Sequence, residues 1–209
     1  MGSYNIIDGY KINESVSHHI DIHYTDEGQD EVYLYAKEIA IKNNYKNIID
    51  IGCGSGFKLM KYFSDYNTIG YEVEPSITFL KSKYPDRVWV NSGESEISFN
   101  YKDKYECDII ICADVIEHIQ NPDNLLNYLK SFNTKLIIIS TPCRDILCKS
   151  ERFKNIYGNS YYGPPVNTSH VREWTYKELI EYLSKHFNIK ESFFGKNQIE
   201  CQYHLISKL

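Results

Sequence analysis

Three glycines at alternate positions form the most distinctive pattern in the chain. Gly52, Gly54 and Gly56 follow a short apolar run and precede a stretch with helical spacing. Glycines in such a turn let the backbone bend sharply and let a ligand lie against it without a Cβ in the way. The N-terminus of the following helix adds N–H groups that lack helical partners. A plain tight turn is the alternative.

The spacing of these glycines argues against two common nucleotide sites. A dinucleotide turn has its third glycine one place later, where this chain has Phe57, and a phosphate-binding loop needs a Gly-Lys-Ser/Thr run that is absent here. An NAD-dependent oxidoreductase is therefore a weak alternative.

A carboxylate stands about twenty residues beyond the turn, near the end of the next predicted strand. Glu72 can accept hydrogen bonds from both hydroxyls of a ribose, and its charge favours a cationic ligand over a pyrophosphate. Glu74 is the second candidate for this role. The alternative for both is a solvated strand end.

Strand and helix patterns alternate along the chain and must position these residues. Five strands are predicted first, at 47–51, 68–74, 87–91, 108–113 and 135–140. Helices are predicted at 29–43, 57–63, 76–83, 122–131 and 175–185, the last with Thr175 as N-cap and Glu178 three residues on. A hairpin of residues 188–194 and 198–207 closes the chain. This order predicts an α/β fold with a doubly wound, mostly parallel, seven-stranded sheet and a C-terminal antiparallel hairpin.

At this point the chain resembles the class I S-adenosylmethionine-dependent methyltransferases, over roughly residues 47–209 and with a Rossmann-like fold. The resemblance implies S-adenosyl-L-methionine as cofactor, held at the glycine turn, at the ribose acid, after the third strand, and at a D-V-[IL]-E-H segment after the fourth. The implied cofactor residues are Asp50, Gly52, Cys53, Gly54, Gly56, Glu72, Val73, Gly93, Glu94, Ser95, Ala113, Asp114, Val115 and His118. Residues 1–45 are interpreted as an N-terminal cap with the first helix, and 46–209 as the methyltransferase domain.

Methyl transfer from a sulfonium is an in-line displacement that depends mainly on positioning. A hydroxyl acceptor also benefits from a base with a pKa near the working pH, and histidine is the usual choice. The catalytic candidates are His170 and His118, and the alternative for His118 is a brace with Glu117. No metal site is predicted: the histidine-rich segment 17–24 could be one, but we interpret it as a strand-like or loop segment with half-exposed histidines.

Residues 143–173 lack clear periodicity and are predicted to form a loop insertion on the acceptor side. The segments 140–145 and 163–174 resemble the S-T-P-x-R-D and G-P-P-x-N…H-V-R-E-W patterns of methyltransferases encoded beside, or fused to, glycosyltransferases. This implies a sugar, nucleotide sugar or glycan acceptor and a functional link to glycosyltransferases. The predicted substrate-binding residues are Arg144, Asp145, Tyr161, Tyr162, His170 and Arg172. The alternative is that Arg144–Asp145 and Arg172–Glu173 are ion pairs that fix the loop.

Composition limits the remaining classes. The 209 residues carry a net charge of −5, which argues against a broad basic surface for nucleic acid. The chain has no apolar run near the ~20 residues of a membrane span, and its six scattered cysteines fit a reducing, cytoplasmic setting. Base-methylating enzymes often carry [N/D]-P-P-[Y/F] after the fourth strand, and this chain does not. A non-sugar small-molecule acceptor and a non-catalytic cofactor-binding subunit stay open. The sequence predicts no oligomeric state.

Overall fold

The computed structural model of the chain describes residues 3–16, 20, 22, 29–92 and 105–209. Its centre is one seven-stranded sheet in the order β3-β2-β1-β4-β5-β7-β6. The strands are β1 Asn47–Ile51, β2 Asn67–Glu72, β3 Val88–Asn91, β4 Cys107–Ala113, β5 Thr134–Pro142, β6 Phe187–Phe194 and β7 Cys201–Lys208. The five strands β1 to β5 are parallel, and β7 runs antiparallel to both β5 and β6. The predicted fold class is confirmed.

Seven helices are present in the described part of the chain. They are α1 Asp30–Asn43, α2 Phe57–Phe63, α3 Ser76–Lys83, α4 Pro122–Ser131, α5 Arg144–Lys149, α6 Lys154–Tyr157 and α7 Tyr176–Leu183. Single 3₁₀ turns occur at Ser3–Asn5, Ile116–His118 and Gly158–Ser160. Two apolar clusters, one on each face of the sheet, bury every residue of β4. A strand buried on both faces reads as a continuous apolar run, which is why its position was clear from the sequence.

Some predicted boundaries were wrong by a few residues. The second strand ends at Glu72 rather than 74, because the chain turns at Pro75 into α3. The fifth strand continues to Pro142 because β7 pairs with it up to Cys201. The last helix ends at Leu183, but its start is as predicted: Thr175 and Glu178 form a complete capping box.

The segment 143–173 folds as short helices, α5 and α6, followed by irregular chain. The front of the chain packs along this segment. The backbone N–H of Lys11 donates to the carbonyl of Tyr162 at 2.8 Å, and that of Asn13 donates to the carbonyl of Val171 at 3.0 Å. Residues 17–19, 21 and 23–28 of the predicted cap, which include His18, His19 and His23, lie outside the described residues. Within the described ranges no helix is long and apolar enough to cross a bilayer.

Candidate active site

A cavity of about 440 Å³ opens at the carboxyl ends of the parallel strands. Open α/β sheets bind ligands at this edge, at the point where the strand order reverses. Here that point lies between the paired strands β1 and β4, with β2 on one side of them and β5 on the other. The walls come from the glycine turn after β1, the end of β2, the loop after β4, the insertion after β5 and the β6–β7 turn.

Most of the sequence-predicted cofactor residues meet at this cavity. Those that line it are Gly52, Cys53, Gly54, Glu72, Val73, Ala113, Asp114, Val115 and His118. Gly93, Glu94 and Ser95 lie outside the described residues. Ser92, just before them, is part of the wall.

Asp50 and Gly56 lie behind the wall instead. A Cβ on Gly56 would approach the side chains of Leu80 at 2.7 Å and Trp89 at 2.9 Å, so this glycine permits close packing of the turn on α3 and β3. Asp50 is fully buried and accepts a hydrogen bond from the hydroxyl of Tyr33 at 2.8 Å. Burial raises the pKa of Asp50 to about 7.

The glycine turn is held against the neighbouring strands on two sides. Gly52 has a φ of +75°, and a Cβ added there would lie 2.5 Å from Cγ2 of Val115. The N–H of Gly54 donates to a carboxylate oxygen of Glu72 at 2.9 Å, and the N–H of Val73 donates to the other at 2.8 Å. Glu72 is therefore fixed with its carboxylate between the turn and the cavity.

Asp114 begins the loop after β4 with a φ of +52°, a backbone conformation that aspartate tolerates better than most residues. Its carboxylate accepts hydrogen bonds from the hydroxyl of Ser140 at 2.8 Å and the amide of Gln29 at 3.0 Å. Burial raises the pKa of Asp114. The hydrogen bond from Gln29 connects the start of α1 to the loop after β4.

The two catalytic candidates, His118 and His170, stand edge to face with ring centroids 4.9 Å apart. Nδ1 of His118 lies 2.8 Å from the carbonyl oxygen of Ser169, and Nδ1 of His170 lies 2.8 Å from a carboxylate oxygen of Glu173. Nδ1 of His118 carries the hydrogen because a carbonyl oxygen only accepts. Nε2 of His170 accepts a hydrogen bond from the amide of Asn167 at 3.0 Å.

Glu117 lies close to both histidines. Its Oε2 accepts a hydrogen bond from the hydroxyl of Thr141 at 2.8 Å, and its Oε1 has no hydrogen-bond partner in the described structure. Burial, and after it the charge of Asp114, raises the pKa of Glu117 well above its ordinary value. Glu117 and His118 each anchor the loop to a different element: Glu117 to β5 through Thr141, and His118 to the insertion through Ser169.

Five of the six predicted substrate-binding residues lie outside the cavity wall; His170 lines it. Arg144 is fully buried, and its guanidinium donates to both carboxylate oxygens of Glu178, at 2.8 and 2.7 Å. Arg172 donates to the carbonyls of Ile119 and Gln120, both at 2.8 Å. The structure thus favours the loop-fixing alternative for both arginines, although Arg144 pairs with Glu178 rather than Asp145, and Arg172 bonds backbone carbonyls rather than the Glu173 side chain.

The remaining three residues lie on the outer side of the insertion. Asp145 pairs with Lys149 at 2.5 Å and accepts a hydrogen bond from the hydroxyl of Tyr161 at 3.3 Å. Tyr162 is exposed and stacks edge to face on Tyr161.

The sequence interpretation missed several residues of the wall. These include Gln29, Tyr33, Lys58, Phe153, Asn167, Glu173, Gln198 and Glu200. Glu173 carried a local signal, since it stands three residues after His170. Gln29 and Glu200 carried no local signal. They come from the start of α1 and from the β6–β7 turn, which are brought to the cavity only when the sheet is folded.

The wall is strongly acidic. Its charged side chains include five carboxylates and one lysine, namely Glu72, Asp114, Glu117, Glu173, Glu200 and Lys58. Such a lining attracts a cationic ligand and repels phosphates.

Comparison with known proteins identifies the family of the chain. The family model described as "Methyltransferase domain" matches residues 26–190. A ubiquinone biosynthesis O-methyltransferase of Glaesserella parasuis serovar 5 (strain SH0165) is 24% identical over 181 residues, which cover 76% of each chain. An S-adenosylmethionine-dependent methyltransferase structure from Clostridium acetobutylicum ATCC 824 has a TM-score of 0.61 at 15% identity, covering 88% of this chain and 92% of that one.

The small RNA methyltransferase HEN1 shares the fold with a TM-score of 0.60 at 21% identity, over 93% of this chain. This chain spans only 27% of HEN1. Because this fold also serves an RNA methyltransferase, the predicted exclusion of nucleic acid is not confirmed by the comparisons. What the match over residues 26–190 does establish is that the chain belongs to the methyltransferase-domain family, and it is an S-adenosylmethionine-dependent methyltransferase.

Proposed function

We propose that this protein transfers a methyl group from S-adenosylmethionine to a hydroxyl of a sugar or glycan. In this proposal residues 46–209 form the catalytic domain and residues 1–45 cover it. The hydrogen bond between Gln29 and Asp114 supports such a cover, because it joins the front of the chain to the cavity wall.

The cavity fits the cofactor in charge and in shape. The acidic wall suits a sulfonium and an ammonium group, and the glycine turn leaves no Cβ between the backbone and the ligand. Glu72 would hold the ribose hydroxyls, and the loop at Ala113, Asp114 and Val115 would flank the methionine part. When bound, the cofactor supplies an electrophilic methyl group on its sulfur.

The histidine pair is the single observation that carries the assignment to a hydroxyl acceptor. His118 and His170 lie side by side in the wall, each with Nδ1 fixed by an oxygen acceptor. Fixed imidazoles can receive a hydroxyl group and assist the loss of its proton. The relative in ubiquinone biosynthesis is named an O-methyltransferase, which supports the same acceptor atom.

The far side of the cavity supports a sugar. Phe153 and Tyr157 offer aromatic faces, while Asn167 and Glu200 offer hydrogen-bonding groups to a polyhydroxylated ligand. The acidic wall disfavours a diphosphate, so a neutral sugar or glycan end fits better than a nucleotide sugar. A phenolic acceptor is the second candidate, on the evidence of the named relative.

The test is methyl transfer from radiolabelled S-adenosylmethionine to a panel of neutral saccharides, nucleotide sugars and catechols. We expect label in a saccharide, and a loss of about 100-fold or more in kcat/KM for His170→Ala. His186→Gln is the matched control, because His186 follows α7 and lies outside the cavity wall.

Two outcomes would contradict the proposal. Label in catechols alone would show that the acceptor is phenolic. Tight cofactor binding with no labelled acceptor of any class would favour a non-catalytic cofactor-binding subunit.

A further inference from the structure

We propose that Glu117, His118 and His170 bind one divalent transition-metal ion, which holds the acceptor oxygen. The inference rests on the proposed function and specifies how the histidine pair acts in it. One ligand atom from each of the three residues lies within 4.8 Å of the others. The sequence predicted no metal site because His170 stands 52 positions beyond His118 and 53 beyond Glu117, and it meets them only in the folded chain.

The carboxylate of Glu117 is the first supporting observation. It is completely buried, and Oε1 has no hydrogen-bond partner in the described structure. Thr141 holds the other oxygen at 2.8 Å. A buried carboxylate with one unpaired oxygen is costly unless a cation compensates it. The buried carboxylate of Asp114 next to it adds to this requirement for positive charge.

The tautomers of the two histidines are the second observation. Metal-binding imidazoles usually donate their other N–H to a carbonyl or a carboxylate, which fixes the ring and makes the ligand nitrogen more basic. His118 does so with the carbonyl of Ser169, and His170 with Glu173. In both rings Nε2 is therefore the nitrogen with the lone pair.

Asn167 supports the same tautomer of His170. Its Oδ1 accepts from the N–H of Ser169 at 3.0 Å, so its amide nitrogen is the group that donates to Nε2 of His170 at 3.0 Å. Asn167 is exposed, and its side chain can turn to solvent when an ion takes that lone pair.

Two imidazoles and one carboxylate are the ligands of many catalytic zinc and iron sites, and they leave further positions on the ion open. Bonds of about 2.1 Å place neighbouring ligand atoms about 3–3.5 Å apart. The three side chains therefore need to close by about 1 Å around the ion.

The acceptor hydroxyl would occupy an open position. Coordination lowers the pKa of the hydroxyl, and its proton leaves to solvent. The oxygen then forms its bond to the methyl carbon while the bond from that carbon to sulfur breaks, and the electron pair stays on sulfur. The histidines act here as ligands rather than as the proton acceptor.

The test is a titration of the untagged chain with Mn²⁺. Binding is measured as the loss of the electron paramagnetic resonance signal of the free ion. We expect one Mn²⁺ per chain, displaced by Zn²⁺. His118→Ala and His170→Ala should each weaken binding at least ~10-fold. Glu173→Gln keeps an acceptor for Nδ1 of His170 but removes the negative charge behind the ring, and it should weaken binding by about 10-fold. His186→Gln should bind as the wild type does. Near-ultraviolet circular dichroism checks that each variant is folded.

The absence of Mn²⁺ and Zn²⁺ binding at about 1 mM, or equal binding by wild type and the two histidine variants, would overturn the proposal. S-adenosylhomocysteine affinity, measured on the same samples with and without a chelator, separates this result from a failure of the proposed function. If the cofactor binds but the metal does not, only the proposed metal site is refuted. If the metal binds but the cofactor does not, the assignment of the cavity as the cofactor site is refuted and the metal site stands.

Discussion

Asp50 shows how single residues behind the cavity wall are tuned by burial. It is enclosed by Tyr33, which donates to it, by the positive charge of Lys58 and by the negative charge of Glu72. Burial is the largest of these influences, and its pKa rises from 3.8 to about 7. The folded protein therefore keeps a proton on Asp50 over a pH range in which the unfolded chain has lost it.

This difference predicts a pH dependence of stability. Because the pKa of Asp50 is higher in the folded state, the protonated group contributes to the free energy of unfolding. This contribution is fully present below about pH 4 and is lost as the pH rises through about 7. Between pH 5 and pH 8 the loss from Asp50 is about 2–3 kcal/mol. Urea unfolding measures the free energy of unfolding at the two pH values. Its decrease from pH 5 to pH 8 should be smaller for Asp50→Asn than for the wild type, by about 2–3 kcal/mol. Equal drops for wild type and variant would show that Asp50 is already ionised at pH 5 in the folded protein.

Among the elements, the insertion after β5 owes its position to a buried ion pair. Arg144 at the start of α5 donates two hydrogen bonds to Glu178 of the α7 capping box and one to the carbonyl of Glu173. The rings of Tyr10 and Tyr161 lie 4.6 and 5.1 Å from the guanidinium carbon. One side chain therefore joins the front of the chain, the insertion and the last helix.

Removal of this cation should destabilise the protein without altering cofactor binding. Arg144→Met leaves the buried carboxylate of Glu178 without its counter-charge, with only the N–H groups of Ile7 and Thr175 as partners, and we expect the free energy of unfolding to fall by about 3–5 kcal/mol. Arg152→Met, in the exposed part of the same segment, is the control and should change it by less than about 0.5 kcal/mol. A raised acceptor KM with unchanged stability would instead support the sequence-based prediction that Arg144 binds substrate.

The elements themselves were largely predictable, and the contacts between them were not. Continuous apolar runs fixed β1 and β4, and the capping box fixed the start of α7, because these signals are local. The partners of Arg144 and Asp114 were not predictable, because Glu178 and Gln29 lie 34 and 85 residues away. Arg144–Asp145 looked like a local ion pair, but α5 turns the two side chains in different directions.

At the scale of the whole molecule, charge distinguishes this chain from a protein that binds nucleic acid through a basic surface. The net charge is −5, and among the residues that the structure describes five carboxylates and one lysine line the cavity. The same sheet order serves many acceptors, so the fold alone does not choose between a sugar and an RNA.

We therefore expect weak binding to RNA. Filter binding with single-stranded and duplex RNA at about 50 mM salt should give dissociation constants above ~100 µM, the weak end of non-specific binding. Micromolar binding that weakens steeply with salt would contradict the saccharide assignment and favour a nucleic-acid acceptor.

We propose above all that the cavity at the strand ends binds S-adenosylmethionine with Glu72 on the ribose. Calorimetric titration with S-adenosylhomocysteine tests it most directly, in the wild type, Glu72→Gln and Glu74→Gln. Glutamine at 72 can still accept from the N–H of Gly54 but loses the charge and one acceptor oxygen, whereas Glu74 is exposed and bonds Thr78 of α3. We expect about 10- to 100-fold weaker binding for Glu72→Gln and no change for Glu74→Gln. Equal affinity of Glu72→Gln and wild type would show that the Glu72 carboxylate does not hold the ribose.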